Sequence, residues 1–237
     1  MKAMIFAAGL GTRFKPWTDK HPKALAIINS KSLLQRNIEY LQQYGITDII
    51  VNVHHFAEQV INAIKANNGW GSTITISHEE DELLETGGGL KKASWFFDSN
   101  PFVVINADVL TDMQLDKMIE YHNSQKSLAT LAITNRKTSR YFLFDNDNEL
   151  CGWKNTKTGE ERITRRNTPP IPKAFSGIHV INPAIFSLIT QLGKFSIVDT
   201  YLDLSKTESI KCFDHSGSGF VDVGKPEAVE IAEKLFL

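Results

Sequence analysis

The chain has 237 residues, with 26 Lys+Arg against 27 Asp+Glu, and a formal net charge of -1. At 42% hydrophobic and 22% charged residues it can bury enough apolar surface to offset its ordering entropy, which excludes intrinsic disorder. Near-neutral charge without a basic block argues against nucleic-acid binding by phosphate neutralisation. The longest apolar stretches, such as Ala24–Ile28 and Phe102–Ile105, are too short to cross a bilayer.

In chain order, short apolar runs alternate with segments of helical periodicity, the pattern of βαβ units around a mostly parallel sheet. Lys2–Ala7 reads as a buried strand followed by a glycine-bearing loop over 8–15. Its apolar run is too short for a signal peptide, and Arg13 and Lys15 follow directly. Leu33, Leu34, Ile38 and Leu41 recur at helical spacing until Gly45 stops the helix near Tyr44. Asp48–Val53 is a strand, Phe56–Ala66 a helix, and Thr73–Ser77 a strand. Gly88–Phe96 then reads as a helix, Phe102–Asn106 as a strand, Leu115–His122 as a helix and Ala129–Thr134 as a strand.

The alternation fails over 140–173, where two hairpin strands are expected before the tract Thr168-Pro169-Pro170-Ile171-Pro172. Prolines at three of those positions favour an extended connection and oppose a central strand. The segment is read as a small β-rich lobe or lid on a single domain spanning 1–237, and the charged run Gly159–Arg166 as a solvated face. Phe175–Ile181 returns as a strand, Pro183–Leu192 as a helix, Gly219–Val223 as a short strand, and Pro226–Phe236 as a last helix. Cys151 and Cys212 stand in no metal-ligand or redox spacing, which fits a soluble protein of the reducing cytoplasm.

Chemistry concentrates in Ala7-Ala8-Gly9-Leu10-Gly11-Thr12-Arg13, directly after the first strand. Glycines let backbone N–H groups approach an anion, and Arg13 can grip a phosphate bidentately. No lysine follows Gly11 at Walker spacing, and Phe14 stands where the dinucleotide pattern needs a third glycine. Pro22-Lys23 adds a mobile point charge for an oxyanion. Further on, Glu85-Thr86-Gly87-Gly88-Gly89 opens a helix, and consecutive glycines are expected where a ring or phosphate approaches the backbone. Asn106-Ala107-Asp108 ends an apolar strand, the edge where ligands of open α/β sheets collect. Asp222 ends another, and two such carboxylates suit Mg²⁺, which uses few protein ligands besides phosphate and water. His54 and His55 point to opposite faces of extended chain, so a shared ion is not expected. Trp70, Trp95 and Trp153 are read as packing residues.

Together Gly9, Gly11, Thr12, Arg13, Pro16, Pro22 and Lys23 resemble the signature of the sugar-1-phosphate nucleotidylyltransferases, and the resemblance extends from Met1 to about Val229. It implies an α/β fold with a Rossmann-like, mixed but mainly parallel sheet flanked by helices, the nucleotide-diphospho-sugar transferase fold. It also implies an enzyme with a nucleoside triphosphate and a sugar 1-phosphate as its partners. Ala8, Gly9, Gly11 and Thr12 would cradle the triphosphate, Arg13 the leaving pyrophosphate, and Lys23 the α-phosphoryl charge. Thr86 and Gly87 would meet the base, and Asp108 and Asp222 would hold Mg²⁺. On the sugar side the resemblance points to Asn106, to Gly177 in Phe175-Ser176-Gly177-Ile178, and to Lys173 or Lys154 for the acceptor phosphate.

The short forms acting on uridine or guanosine nucleotides match best, with UTP and N-acetylmuramate 1-phosphate expected first and GTP with mannose 1-phosphate as the alternative. Arg140-Tyr141-Phe142 departs from the Gly-Asp-Phe of N-acetylmuramate-1-phosphate uridylyltransferases, which leaves the sugar open. Two other classes compete. A non-catalytic nucleotide-sugar sensor would be expected to lose Arg13, Lys23 or one of the two aspartates. A sugar transferase would carry an Asp-x-Asp motif in place of Asn106-Ala107-Asp108.

Overall fold

In the computed structural model, which describes residues 1–165 and 169–237, the first strand explains the layering. Along β1 (Lys2–Phe6), Ala3 and Ile5 join one apolar core while Met4 joins another, so the strand is buried on both faces. A small hairpin, β2 (Ile27–Ile28) and β3 (Lys31–Ser32), leads into α1 (Leu33–Gln43). Ser32 caps that helix by accepting the Gln35 amide at 3.1 Å, and Gly45, with φ +72°, ends it as expected. Then follow β4 (Asp48–Val53), α2 (Ala57–Ala66), β5 (Thr73–His78), α3 (Glu85–Lys92), β6 (Phe102–Asn106), β7 (Val109–Thr111), α4 (Leu115–Gln125) and β8 (Ala129–Thr134). The strands and helices expected over this half are all present, with ends shifted by a few residues.

The second half holds β9 (Arg140–Phe144), β10 (Leu150–Asn155), β11 (Glu161–Ile163), β12 (Ile171–Ile181), α5 (Ile185–Leu188), α6 (Ile197–Leu204), β13 (Ile210–Asp214), β14 (Phe220–Asp222) and α7 (Glu227–Leu235). The main sheet runs β5-β4-β1-β6-β12-β8-β13. Its pairs are parallel except those of β12, which lies antiparallel to β6 and β8. Helices α1, α2 and α4 cover one face, and α3, α5 and α6 the other. This is the expected mixed, mainly parallel α/β sandwich.

Three features differ from the sequence reading. Residues 140–163 form three strands, and β12 itself begins in this lobe: Ile171–Lys173 pair with β9 before the same strand enters the main sheet. Pro172 is tolerated there because β9 flanks that part of β12 on one side and no second ladder needs its amide. The helix expected over Pro183–Leu192 is only α5, since Lys91 Nζ donates to the carbonyls of Ile189 and Gln191 and holds that stretch open across α3. Between 193 and 218, where periodicity assigns nothing, stand α6 and β13. Arg166 of the charged run and Thr168 of the proline tract lie outside the described residues. Both cysteines are free and buried, and no helix is long and apolar enough to cross a membrane among the described residues.

Three histidines are buried in this frame. Desolvation pulls His179 down to about 3 and His122 and His215 to about 4. Each folded-state value lies below the unfolded one, so the unfolded chain takes up protons first as pH falls. Their contribution is complete above about pH 6.5 and is lost towards pH 4, at up to about 1.4 kcal/mol per histidine per pH unit. Thermal unfolding is therefore expected to move to lower temperature between pH 7 and 5. His122→Asn, which keeps a polar group beside Thr130 and Ser127 without a titrating ring, is expected to flatten that slope. A slope identical in wild type and variant would contradict the assignment.

Candidate active site

The carboxyl ends of β1, β4 and β6 open into a cleft of about 410 Å³. Ala8, Gly9, Gly11, Thr12, Arg13, Lys23, Thr86, Asn106 and Asp108 all line it, beside Asn52, Leu83, Glu85 and Gly224. Strands buried on both faces leave only their ends for polar groups, which is why residues distant in sequence meet here.

The loop after β1 is shaped by one of its glycines and left open by the other. Gly11 has φ +60°, and a Cβ there would stand 2.7 Å from Thr18 Cγ2 and 3.1 Å from Lys23 Cβ. Thr18 Oγ1 donates to the Gly11 carbonyl at 2.9 Å, fixing the turn. A Cβ on Gly9 would meet nothing within 4 Å, and the backbone there has no positive φ. The fold does not demand glycine at 9, and the space beside it is open at the cleft. The amides of Gly9, Leu10, Gly11 and Thr12 have no acceptor among the described residues, and Gly9, Gly11 and Thr12 line the cleft, which leaves open donors at its edge.

Lys23 Nζ reaches Asp108 Oδ2 at 2.5 Å, and both side chains are largely buried. Asp108 and Asp222 are joined through the backbone, where the Val223 amide donates to the Asp108 carbonyl at 2.8 Å and Asp222 faces Val109 across the β7–β14 ladder. The Arg13 guanidinium and the Asp222 carboxylate both crowd Gly224, whose missing Cβ would lie 2.8 Å from Asp222 Oδ1 and 3.3 Å from Arg13 Nη2. Partial desolvation and then repulsion by Asp108 push the Asp222 carboxyl above its usual range, against the pull of Lys23, Arg13 and Arg136. Asp222 remains an exposed residue, so this desolvation is crowding by the cleft wall and not enclosure.

A small apolar core holds the charged groups from behind. Phe14, Ala26, Ile28, Leu33, Leu110, Val221, Val223 and Ala232 form it, and Phe14, Val221 and Val223 are chain neighbours of Arg13 and Asp222. Asn37, buried in α1, donates to the Ala107 carbonyl at 3.0 Å and pins the turn that carries Asp108. Arg136 donates to the carbonyls of Ala174 and Phe175 and lies over the Phe220 ring, 4.7 Å from its centroid. Sequence reasoning missed both residues. One reads as an ordinary polar residue on a helix, the other as surface charge.

On the far wall the three glycines answer first to packing within the chain. A Cβ on Gly87 would meet the Phe195 ring at 2.4 Å, one on Gly88 the Gly193 carbonyl at 2.3 Å, and one on Gly89 the Glu79 carboxylate at 2.6 Å. The Gly87 amide donates to the Phe195 carbonyl at 2.9 Å and is already engaged, so Gly87 stands behind the cleft wall while Thr86 lines it. Thr86 Oγ1 in turn accepts the Ile197 amide at 3.0 Å. The expectation that the triplet makes room for a ring is corrected accordingly: residues 193–195 fill the space beside Gly87 and Gly88, and Glu79 with Asn52 that beside Gly89.

Gly177 has φ +74°, and its missing Cβ leaves space for Asn106, whose Nδ2 would be 2.5 Å away. Lys173 is tied to Asp214 at 2.9 Å and to Asn135 at 2.8 Å, and neither it nor Lys154 lines the cleft. Of the histidines, His54 Nδ1 donates to the Glu79 carbonyl and His55 Nε2 to the Thr18 carbonyl, so both brace loops separately. Trp70 and Trp153 pack against the cores, whereas Trp95 is 66% exposed, contrary to expectation.

Among the described residues no group of three or more His, Cys, Asp or Glu could hold a metal ion. Asp108 and Asp222 offer two carboxylates joined through the backbone, a donor set that fits Mg²⁺ completed by phosphate and water and does not fit a closed Zn²⁺ site.

The sequence profile of the Nucleotidyl transferase family matches residues 2–235. A mannose-1-phosphate guanyltransferase of Yarrowia lipolytica is 30% identical over 235 residues, covering 96% of this chain and 61% of that protein. The chain thus spans about three fifths of the length of such relatives. HddC from Yersinia pseudotuberculosis, complexed with GMP-PN, is 27% identical with a TM-score of 0.78, covering 100% of this chain and 99% of that one. A UDP-glucose pyrophosphorylase from Acinetobacter baumanii, at 17% identity and TM-score 0.80 over 98% of this chain and 91% of that one, shares the fold.

The two loop glycines separate fold from ligand. Gly11→Ala is expected to lose about 1–2 kcal/mol to its left-handed backbone, with a further loss from the Thr18 clash, lowering Tm by roughly 2–8 °C. Gly9→Ala is expected to keep Tm within about 2 °C while weakening triphosphate binding roughly tenfold or more. Equal loss of Tm in both variants, or unchanged binding in Gly9→Ala, would contradict the distinction; differential scanning fluorimetry and calorimetry read the two quantities.

Proposed function

Because the chain belongs to the nucleotidyl transferase family, we propose that it makes a nucleotide sugar and pyrophosphate from a nucleoside triphosphate and a sugar 1-phosphate. The observation that carries this reading is the meeting of Lys23 and Asp108, 85 residues apart, beside a row of open loop amides. A cleft with that pairing of fixed cations, open N–H donors and two carboxylates suits a polyanion and a divalent cation together.

A phosphate oxygen of the sugar 1-phosphate attacks the α-phosphorus, and the bond from that phosphorus to the bridging oxygen of the β-phosphate breaks. The nucleophile is already an anion, so no side chain has to remove a proton. Catalysis is then orientation and charge stabilisation. The amides of the Gly9–Thr12 loop orient the triphosphate. Arg13 takes charge that gathers on the leaving pyrophosphate, and Lys23 takes charge on the α-phosphoryl oxygens. Asp108 and Asp222 are the residues that would hold Mg²⁺, whose chemistry is to neutralise phosphate oxygens of both substrates. Thr86 faces the base side of the cleft and Asn106 the sugar side.

For the substrates themselves, UTP with N-acetylmuramate 1-phosphate is what the sequence suggests first. The guanyltransferase relatives and the GMP-PN complex of HddC favour the alternative, GTP with mannose 1-phosphate or a similar sugar. GTP therefore stands ahead of UTP. A pyrophosphate-release screen of four nucleoside triphosphates against a panel of sugar 1-phosphates, with Mg²⁺ and with EDTA, separates the two.

On the best pair, Asp108→Asn and Asp222→Asn are each expected to lower release by about 10² or more with an unchanged circular-dichroism spectrum. Lys23→Ala is expected to fall by a similar factor, roughly 10². Normal release by a folded Asp108→Asn protein would sink the assignment. Tight triphosphate binding without turnover in wild type would favour a sensor.

A further inference from the structure

Two buried polar side chains link opposite walls of the cleft. Asn52, in β4, is 3% exposed, and Glu79, the residue after β5, is 1% exposed. Asn52 Oδ1 accepts the Ala7 amide at 2.8 Å, and Asn52 Nδ2 donates to Glu79 Oε1 at 2.7 Å. Glu79 Oε2 accepts the Leu84 amide at 2.8 Å. Ala7 begins the phosphate-side loop, and Leu84 lies between Leu83 and Glu85 on the far wall.

Backbone N–H groups at both ends of this chain can only donate, so its direction is fixed. Asn52 must turn its oxygen to Ala7 and its amide nitrogen to Glu79. Position 79 must then supply two acceptors, which a carboxylate has and a carboxamide lacks. Neither hydrogen-bond partner of the Glu79 carboxylate, the Asn52 side chain or the Leu84 amide, is a cation, so burying this carboxylate is unfavourable unless the two bonds it accepts are needed. Gly89 preserves the space, since a Cβ there would lie 2.6 Å from Glu79 Oε1 and 2.9 Å from Asn52 Nδ2.

We infer that Asn52 and Glu79 are a positioning pair that sets the spacing between the phosphate-side loop and the base-side turn, and so governs affinity for the triphosphate. The inference rests on the proposed nucleotidyl transfer. The polar atoms of both side chains are engaged by each other and by the two amides, so both act through the backbone of Ala7 and Leu84.

The hydrogen-bond logic supplies a reciprocal test. In Glu79→Gln the new NH₂ faces either the Asn52 NH₂ or the Leu84 amide, donor against donor. In the double variant Asn52→Asp/Glu79→Gln every bond is restored, with the middle one reversed. The carboxylate introduced at position 52 accepts from the Ala7 amide and from the carboxamide at position 79, whose oxygen accepts from Leu84. The measurement is KM for each substrate of the best pair, with calorimetric binding of the triphosphate alone. Glu79→Gln is expected to raise the triphosphate KM and Kd roughly tenfold while the sugar-phosphate KM and kcat stay within about threefold. The double variant is expected to return the triphosphate values to within about threefold of wild type.

A double variant as impaired as Glu79→Gln, or a loss spread equally over both substrates, would overturn the inference while wild-type turnover keeps the proposed function standing. A wild-type protein that binds no triphosphate would overturn both. If Glu79→Gln does not fold, the double variant alone decides: folding with near-wild-type affinity supports the pair, and failure to fold or bind overturns it.

Discussion

The four charged residues Arg13, Lys23, Asp108 and Asp222 are each anchored by a buried apolar neighbour in the chain. Arg13 is followed by Phe14, Lys23 by Ala24, Asp108 by Val109, and Asp222 lies between Val221 and Val223. Charges of both signs cannot hold a geometry in water on their own, because solvent screens them and long side chains lose rotamer freedom. Here the apolar partners are locked into cores, so the charged side chains emerge from fixed backbone. The rest of the site depends on that constraint, including the short Lys23–Asp108 contact and the backbone bond from Val223 to Asp108.

The same constraint explains why this cleft lies where it does. β1, β4 and β6 are parallel and buried on both faces, so their carboxyl ends are the first places where polar residues can be solvated. β12 enters antiparallel beside β6 and brings Gly177 against Asn106. Because β12 also carries the lobe of β9, β10 and β11, that lobe is continuous with the main sheet through one strand. Its position relative to Asn106 is therefore set by strand register.

Much of this is legible in the sequence, and for physical reasons. Doubly buried strands are continuous apolar runs, so β1, β4, β6 and β8 stand out, and the loop glycines with Arg13, Lys23 and Asp108 follow them at the expected edge. What pattern does not reveal are partners distant in the chain. The glycine triplet announces a close approach but not its source, which is residues 193–195 for Gly87 and Gly88 and Glu79 with Asn52 for Gly89. Lys173 has the right charge for a phosphate, yet Asp214 and Asn135 already engage it. Asn37, Arg136 and Glu79 carry no local signal, because their roles come from carbonyls and amides supplied by other elements. Helix α5 stops early for a similar reason, since Lys91 takes the carbonyls beyond it.

In the proposed reaction, fixed charges and open amides move a nucleotidyl group directly between two phosphates, with no nucleophilic side chain. The most direct measurement is the stereochemical course at the α-phosphorus, followed by ³¹P NMR with a triphosphate made chiral at that atom. A single in-line displacement predicts a nucleotide sugar of inverted configuration, formed in equal amount with pyrophosphate. Retention of configuration, which requires a covalent enzyme intermediate, would contradict the account.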